Sequence, residues 1–241
     1  MNRIDGRAFD ELRPIEITTD FVKFAEGSCL IRCGDTMVLC CASVEDKAPP
    51  HVPEGTGWVT AEYSMLPRAN RSRSKRDVAK LKLSPRSAEI QRLVGRSLRA
   101  AVDLSKLGER TITIDCDVLP GDGGPRTASV TGGFIALALA CRRLVEEGVI
   151  GSTPIRHYVA GVSAGIVDDQ PLLDLRYSED CRAMVDLNCI MNDWGEIVEL
   201  QGTGEGRAFT IQEQRQLVDL CAKGIQELQA IQAAVLEGGD R

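Results

Sequence analysis

TITIDCDVLPGDGGPRTASVTGG, residues 111–133, is the stretch that decides the fold. In residues 111–119, β-branched and apolar residues alternate with Thr and Asp, the pattern of a strand with one buried face. Residues 120–125 contain three glycines and two prolines and read as a tight turn. Residues 127–147 are apolar around much of a helical circumference, with Phe134, Ile135, Leu137 and Leu139, which predicts a long, central, buried helix. A strand, a glycine turn and a helix in succession indicate an α/β protein, with a helix N-terminus beside a flexible loop.

The same reading extends in both directions. Toward the N-terminus, residues 16–19 read as a short strand. Residues 28–33 and 36–44 flank Gly34-Asp35 as a hairpin. Residues 45–57 hold Pro49, Pro50 and Pro53 and form a loop; 58–65 is again a strand. A second helix is predicted from Ser84 (N-cap) and Pro85 (first turn), with Ile90, Leu93, Val94, Leu98, Ala101 and Val102 on one face. Arg92, Arg96 and Arg99 then form a stripe on another face. Toward the C-terminus, 159–167 pairs with 172–177, and 183–191 pairs with 196–201. TIQE (210–213) is a capping box that opens a last helix running to about Leu236. The tail, 238–241, is expected to fray. The reading is α/β with mixed β-sheets and helices, a single domain over residues 1–241.

Composition narrows the class. The chain has 241 residues, 43% hydrophobic and 27% charged, an ordinary globular balance that argues against disorder. No apolar run reaches the roughly 20 residues of a membrane span, and the charged first nine residues lack a signal-peptide core. A cytoplasmic protein with no membrane or DNA partner is expected. The nine cysteines are irregularly spaced with no CxxC, and His51 and His157 are the only histidines, so no zinc site assembles. They read as small buried hydrophobes in a reducing compartment.

The charge is unevenly placed. Between Arg68 and Arg99 there are eleven basic residues against two acids, which gives this stretch +9 and leaves −15 on the rest of a chain whose net charge is −6. Eight of the eleven are Arg, whose planar fork suits phosphate. The loop 66–84 is too long for a plain connector. No aromatic falls within 68–99, so phosphate-backbone contact, salt-sensitive and weakly sequence-specific, is the expectation rather than base stacking.

Two constellations carry chemistry. Gly121-Asp122-Gly123-Gly124-Pro125-Arg126 combines close backbone approach, helix-terminal N–H groups and an Arg fork; it is neither a Walker loop nor GxGxxG, and a purely structural β–α turn would look similar. Asp174, Asp180 and Asp186 form an acidic group, with Asp186 and Asn188 sharing strand parity. Two such acids suit Mg²⁺ or a general acid beside an ionised partner, and solvated turn acids would share the spacing.

With these pieces in place, the chain resembles the ribonuclease PH family of phosphate-dependent 3′-exoribonucleases. The resemblance runs through GRAFDELRPIEI around Arg7, GWVTAEYSMLPRA (57–69), RSAEIQRLVGRSLRAAVDL (86–104) and LGERTITIDCDV (107–118). It continues in GGPRTASVTGG (123–133), VDLNCIM (185–191) and EIVELQGTGEG with Phe209. It implies duplicated βαβα layers and assembly into a homohexameric ring, a trimer of dimers. Residue by residue it implies phosphate binding by Arg86, Gly124, Pro125 and Arg126, and a reaction centre at Asp180 and Asp186 that also holds Mg²⁺. It places Arg68, Arg73 and Arg76 along the path of the RNA; Arg92, on the helix that follows, is expected to bind RNA with them. One departure stands out: the family usually has Thr at the position of Pro125, so a hydroxyl and an N–H are missing here.

The implied reaction is reversible phosphorolysis: tRNA with a 3′ extension plus inorganic phosphate gives shortened tRNA and a nucleoside diphosphate. A part in rRNA processing goes with it. The alternative classes are a non-catalytic RNA-binding subunit of an exosome-like ring, which tends to lose the acids or the loop arginine, and a hydrolytic nuclease, which needs a larger acid cluster.

Overall fold

A computed structural model describes residues 3–238; the expected frayed tail beyond 238 and the first two residues lie outside them. The first sheet holds five strands in the order β1-β2-β3-β5-β4: β1 (Ile15–Thr19), β2 (Gly27–Cys33), β3 (Thr36–Glu45), β4 (Trp58–Met65) and β5 (Thr111–Val118). β5 pairs antiparallel with β3 and parallel with β4. A parallel pair needs a crossover, and α1 (Pro85–Ala100) supplies it. Ser84 caps α1 by accepting from Ser87 N at 3.0 Å, with Pro85 at the first helical position.

The alternation read in residues 111–119 is realised. Ile112, Ile114, Cys116 and Val118 are buried, while Thr113, Asp115 and Asp117 are half-buried on the other face. Over the apolar face lies α2 (Pro125–Glu146), whose Val130, Phe134, Ile135 and Leu137 are fully buried. Contrary to the sequence expectation, α2 is long and apolar enough, by length and composition, to span a bilayer, but it is mostly buried between the two sheets as a core helix.

The second sheet is antiparallel, in the order β7-β6-β8-β9: β6 (Val159–Val167), β7 (Gln170–Leu173), β8 (Val185–Asn192) and β9 (Ile197–Thr203). α2 and α4 (Ile211–Glu237) both pack on β6, and all nine of its residues are buried, which accounts for its unbroken apolar run. Thr210 caps α4 reciprocally with Glu213, at 3.1 and 2.7 Å. The α/β reading holds, with a mixed first sheet and an antiparallel second one.

Three further expectations are corrected. The strand placed over 172–177 ends at Leu173, because Asp174 takes a left-handed conformation (φ 52°) that breaks the extended chain, and Tyr177–Asp180 closes one helical turn, α3. The arginine stripe on α1 is largely committed within the fold. Arg96 pairs with Glu199 at 2.5 Å, and Arg99 lies 4.2 Å over the Trp58 ring and donates to Val59 O at 2.8 Å. Seven of the nine cysteines are buried as expected, but Cys41 is half-buried and Cys181 is exposed.

Candidate active site

A cleft of about 540 Å³ opens where the glycine turn before α2 faces the second sheet. Its walls come from separate parts of the chain: Arg86 from the start of α1, Gly123 to Arg126 from the turn and α2, Asp180 from α3, Asp186 and Asn188 from β8, and Glu205 beyond β9. All six residues expected at the phosphate site and reaction centre, Arg86, Gly124, Pro125, Arg126, Asp180 and Asp186, line it.

Local chemistry fixes the turn. Gly123 has φ 86°, and a Cβ there would stand 2.3 Å from Leu175 O, so only glycine fits. Gly124, at φ 59°, is the N-cap of α2 and Pro125 the first helical residue. Among the described residues no side chain caps α2, so first-turn amides are left for a ligand. Thr36 Oγ1 accepts from Asp122 N (2.8 Å) and donates to Gly123 O (2.7 Å), pinning the turn to β3.

The electrostatics divide the cleft in two. On one side, Arg86 and Arg126 add cations to the positive end of α2. Arg126 Nη1 donates to Gln201 Oε1 at 3.1 Å and lies 3.4 Å from Glu89 Oε1. On the other side are the acids. Burial, then the charge of Asp180, push Asp186 up to about 6; Arg126 and an Asn188 hydrogen bond (3.2 Å) pull the other way. Asp180 is also raised, by desolvation first and against the pull of Arg86 and Arg126. A positive half that can hold an anion thus meets an acidic half that can hold a proton or a cation.

The other expected site residues lie elsewhere. Arg68, Arg73 and Arg76 are exposed on the loop between β4 and α1, whose Asn70 does line the cleft. Arg92 lines a separate polar groove with Trp58, Gln91, Arg96 and Arg99. Asp174 is not a cleft residue: it is buried and held by Arg13.

Sequence reasoning missed that buried cluster. Arg3, Arg7 and Arg13 are each at most 7% exposed and meet Asp174 and Glu179 behind the cleft. The signal was present as three arginines among the first thirteen residues. Also missed were Glu205 and Ser163 on the cleft wall, and Tyr63, whose buried hydroxyl finds no hydrogen-bond partner among the described residues. Burial pushes the Tyr63 phenol up to about 12 although Arg86 and Arg126 act on it in the opposite sense.

Known proteins resemble this chain along nearly its whole length. Residues 11–142 match the model of the 3′ exoribonuclease family, domain 1, and residues 157–223 match domain 2 of the same family. Ribonuclease PH of Bacillus pumilus is 54% identical over 235 residues, 97% of each chain. Ribonuclease PH of Syntrophomonas wolfei is 50% identical over 237 residues, 98% of this chain and 99% of that one. Among solved structures, the Archaeoglobus fulgidus exosome with RNA bound to the active site gives a TM-score of 0.82 at 26% identity, over 95% of this chain and 92% of that one. Two family models in chain order, and half the residues shared along nearly the whole length, leave one conclusion: the chain belongs to the 3′ exoribonuclease family.

Proposed function

We propose that the protein trims 3′ extensions of tRNA precursors by phosphorolysis, with inorganic phosphate and the RNA 3′ end meeting in the cleft between Arg126 and Asp186. The observation that carries this is the juxtaposition, in one cleft, of a cationic helix N-terminus with Arg86 and Arg126 and the carboxylates of Asp180 and Asp186.

Phosphate binds at Arg86, Arg126 and the first-turn amides of α2, which offset the repulsion between two anions. A phosphate oxygen attacks the last phosphodiester phosphorus in line with the 3′-oxygen. The new P–O bond forms as the P–O3′ bond breaks, giving a nucleoside diphosphate and an RNA one nucleotide shorter. The leaving 3′-oxygen takes a proton from Asp186, whose carboxyl is pushed up to about 6 and so keeps part of its proton near neutrality. One phosphoester link replaces another, so the reaction runs readily in reverse and adds nucleotides from diphosphates.

Mg²⁺ fits the donor set. Asp180 and Asp186 are hard oxygen donors sharing one cleft, and the charge of Asp180 raises its neighbour. Among the described residues no three His, Cys, Asp or Glu converge as a closed cage. Mg²⁺ is commonly held by one or two carboxylates, with water and substrate phosphate oxygens completing its shell. Asp180 would hold it, with Asp186 keeping the proton for the leaving 3′-oxygen, and when bound it would supply charge neutralisation at the transferring phosphoryl group.

Arg68, Arg73 and Arg76 guide the RNA backbone toward the cleft, with Arg92 outside it. The protein works in the cytoplasm as a homohexameric ring; the solved relative named above is itself part of an exosome. The test is a 3′-extended tRNA, labelled in its terminal residues and incubated with Mg²⁺ with and without phosphate. Nucleoside diphosphate only in the presence of phosphate supports the proposal. Monophosphate without phosphate means hydrolysis and overturns it.

A further inference from the structure

Behind the cleft, three arginines of the N-terminal segment, with Asp5, Asp174 and Glu179, form a compact group of three positive and three negative side chains. Asp174 accepts from Arg13 at three atoms: N (2.8 Å), Nε (2.9 Å) and Nη2 (2.7 Å). Arg13 is not used up by this pair. Its Nη1 donates to Asp122 O at 2.6 Å, on the turn that carries Gly124 and Arg126. Glu179 is gripped by Arg3 at both oxygens (2.8 and 2.6 Å) and accepts from Arg176 N at 3.1 Å. Arg3 also donates to Leu173 O (2.7 Å) and Asp174 O (2.9 Å). Arg7 bridges the two halves: it donates to Asp174 O at 3.1 Å and lies 3.6 Å from carboxylate oxygens of both Asp174 and Glu179.

Two features separate this group from ordinary core packing. Buried ion pairs are poor stabilisers compared with apolar residues of the same size, so stability alone is a weak reason for them. They do supply directed hydrogen bonds, and here these end on Asp122 O in the turn that leads into Gly123 and Gly124, and on Leu173 O and Asp174 O in the segment that leads into α3. Asp174 is also held at φ 52°, a conformation that costs free energy for a residue with a side chain. Its neighbours over-determine it, as at sites where geometry matters more than stability.

We propose that this cluster is a positioning device with two separable limbs. Arg13, together with Thr36, sets the turn that presents Gly124 and Arg126 to phosphate. Glu179, gripped by Arg3, sets the rotation of α3 and so the placement of the adjacent Asp180. The inference rests on the site assignment proposed above. It says that two residues of one buried network, neither of them lining the cleft, govern different kinetic constants.

The experiment measures phosphate KM and kcat for the full-length protein and its Arg13→Lys, Thr36→Val and Glu179→Gln variants, with Arg126→Ala as reference and the thermal midpoint of each. Lysine keeps the charge opposite Asp174 but cannot also reach Asp122 O in fork geometry. Arg13→Lys is expected to raise phosphate KM about tenfold with kcat within about threefold of the parent. Thr36→Val raises KM about threefold. Glu179→Gln lowers kcat about tenfold and leaves phosphate KM unchanged. Equal effects on both constants from both limbs, or a lowered midpoint with unchanged kinetics, overturn the proposal. If Arg13→Lys does not fold, Thr36→Val decides the first limb: an unchanged KM overturns it. If Glu179→Gln does not fold, Arg3→Lys decides the second by the same kcat criterion. If Arg126→Ala raises KM while the limb variants do not, the positioning role alone falls. If Arg126→Ala leaves KM unchanged, the site assignment falls and takes the positioning role with it.

Discussion

Arg126 at the floor of the cleft faces Glu89 on α1 across 3.4 Å, and Gln201 on β9 accepts from the same Nη1 at 3.1 Å. The guanidinium assigned to phosphate is therefore held from the side by a carboxylate that competes for it. Glu89 is 43% exposed in its side chain, so the competition is modest, at most about 1 kcal/mol. Glu89→Gln is expected to lower phosphate KM by up to about threefold, with kcat unchanged. Steady-state kinetics at varied phosphate checks this; a higher KM would mean that Glu89 orients Arg126 rather than competing for phosphate.

Pro125 occupies the first turn of α2, where a hydroxyl and an N–H would otherwise face the phosphate. Pro125→Thr restores both donors. Phosphate KM is expected to fall about three- to tenfold, the worth of about one added hydrogen bond to an anion. The turn keeps its shape, because Gly123 and Gly124 set its backbone and Thr36 pins it. An unchanged KM would show that Arg86, Arg126 and the remaining amides already saturate the phosphate.

Asp186 makes stability depend on pH. Its carboxyl is raised from 3.8 to about 6 in the folded protein, chiefly by burial. The folded state then binds the proton more tightly than the unfolded state, so the contribution is favourable below about 4 and is lost as pH rises through about 6. Asp186→Asn is expected to match the parent near pH 4 and to exceed its stability at pH 8 by on the order of 2 kcal/mol. Thermal or urea unfolding without phosphate or divalent cation reads this. A stability difference independent of pH would contradict the raised carboxyl.

The exposed arginines of the β4–α1 loop should act on RNA and not on phosphate. Replacing Arg68, Arg73 and Arg76 together with alanine is expected to reduce the slope of log affinity against log salt by about 2 for single-stranded RNA. Phosphate KM stays within about twofold, since these three do not line the cleft. A large change in phosphate KM would mean that the loop folds over the phosphate itself.

The legible parts of the fold were those governed by local periodicity and turn chemistry. Residues 111–133 gave strand, turn and helix because alternation, glycines and an apolar helix each leave a local mark. Pro125 and the Thr210 capping box fell where their backbone chemistry places them. Asp174 was misplaced on a strand because its left-handed backbone is imposed by Arg13, a partner 161 positions away that leaves no trace in the neighbouring residues. Arg3 and Arg7 counted only as part of a charged first nine residues and Arg13 was not singled out, because burial of an arginine depends on a distant acid. The arginines of α1 misled in the opposite sense: their spacing suggested an open stripe, whereas Glu199 and Trp58 engage two of them. Of the site, Arg86, Gly124, Pro125, Arg126, Asp180 and Asp186 line the cleft, whereas Arg68, Arg73, Arg76, Arg92 and Asp174 do not. Glu205, Ser163 and Tyr63, which only tertiary contact brings to its walls or beneath them, did not stand out.

The central claim is that phosphate held between Arg86, Arg126 and the start of α2 attacks the RNA 3′ end beside Asp186. The most direct measurement incubates radiolabelled inorganic phosphate and 3′-extended tRNA with the wild-type protein, Arg126→Ala and Asp186→Asn, and follows label in the released nucleotides. The account predicts label in the β-phosphate of nucleoside diphosphate for the wild type, and a rate at least about a hundredfold lower for either variant. Unlabelled monophosphate from the wild type, or label released by both variants at the wild-type rate, would contradict it.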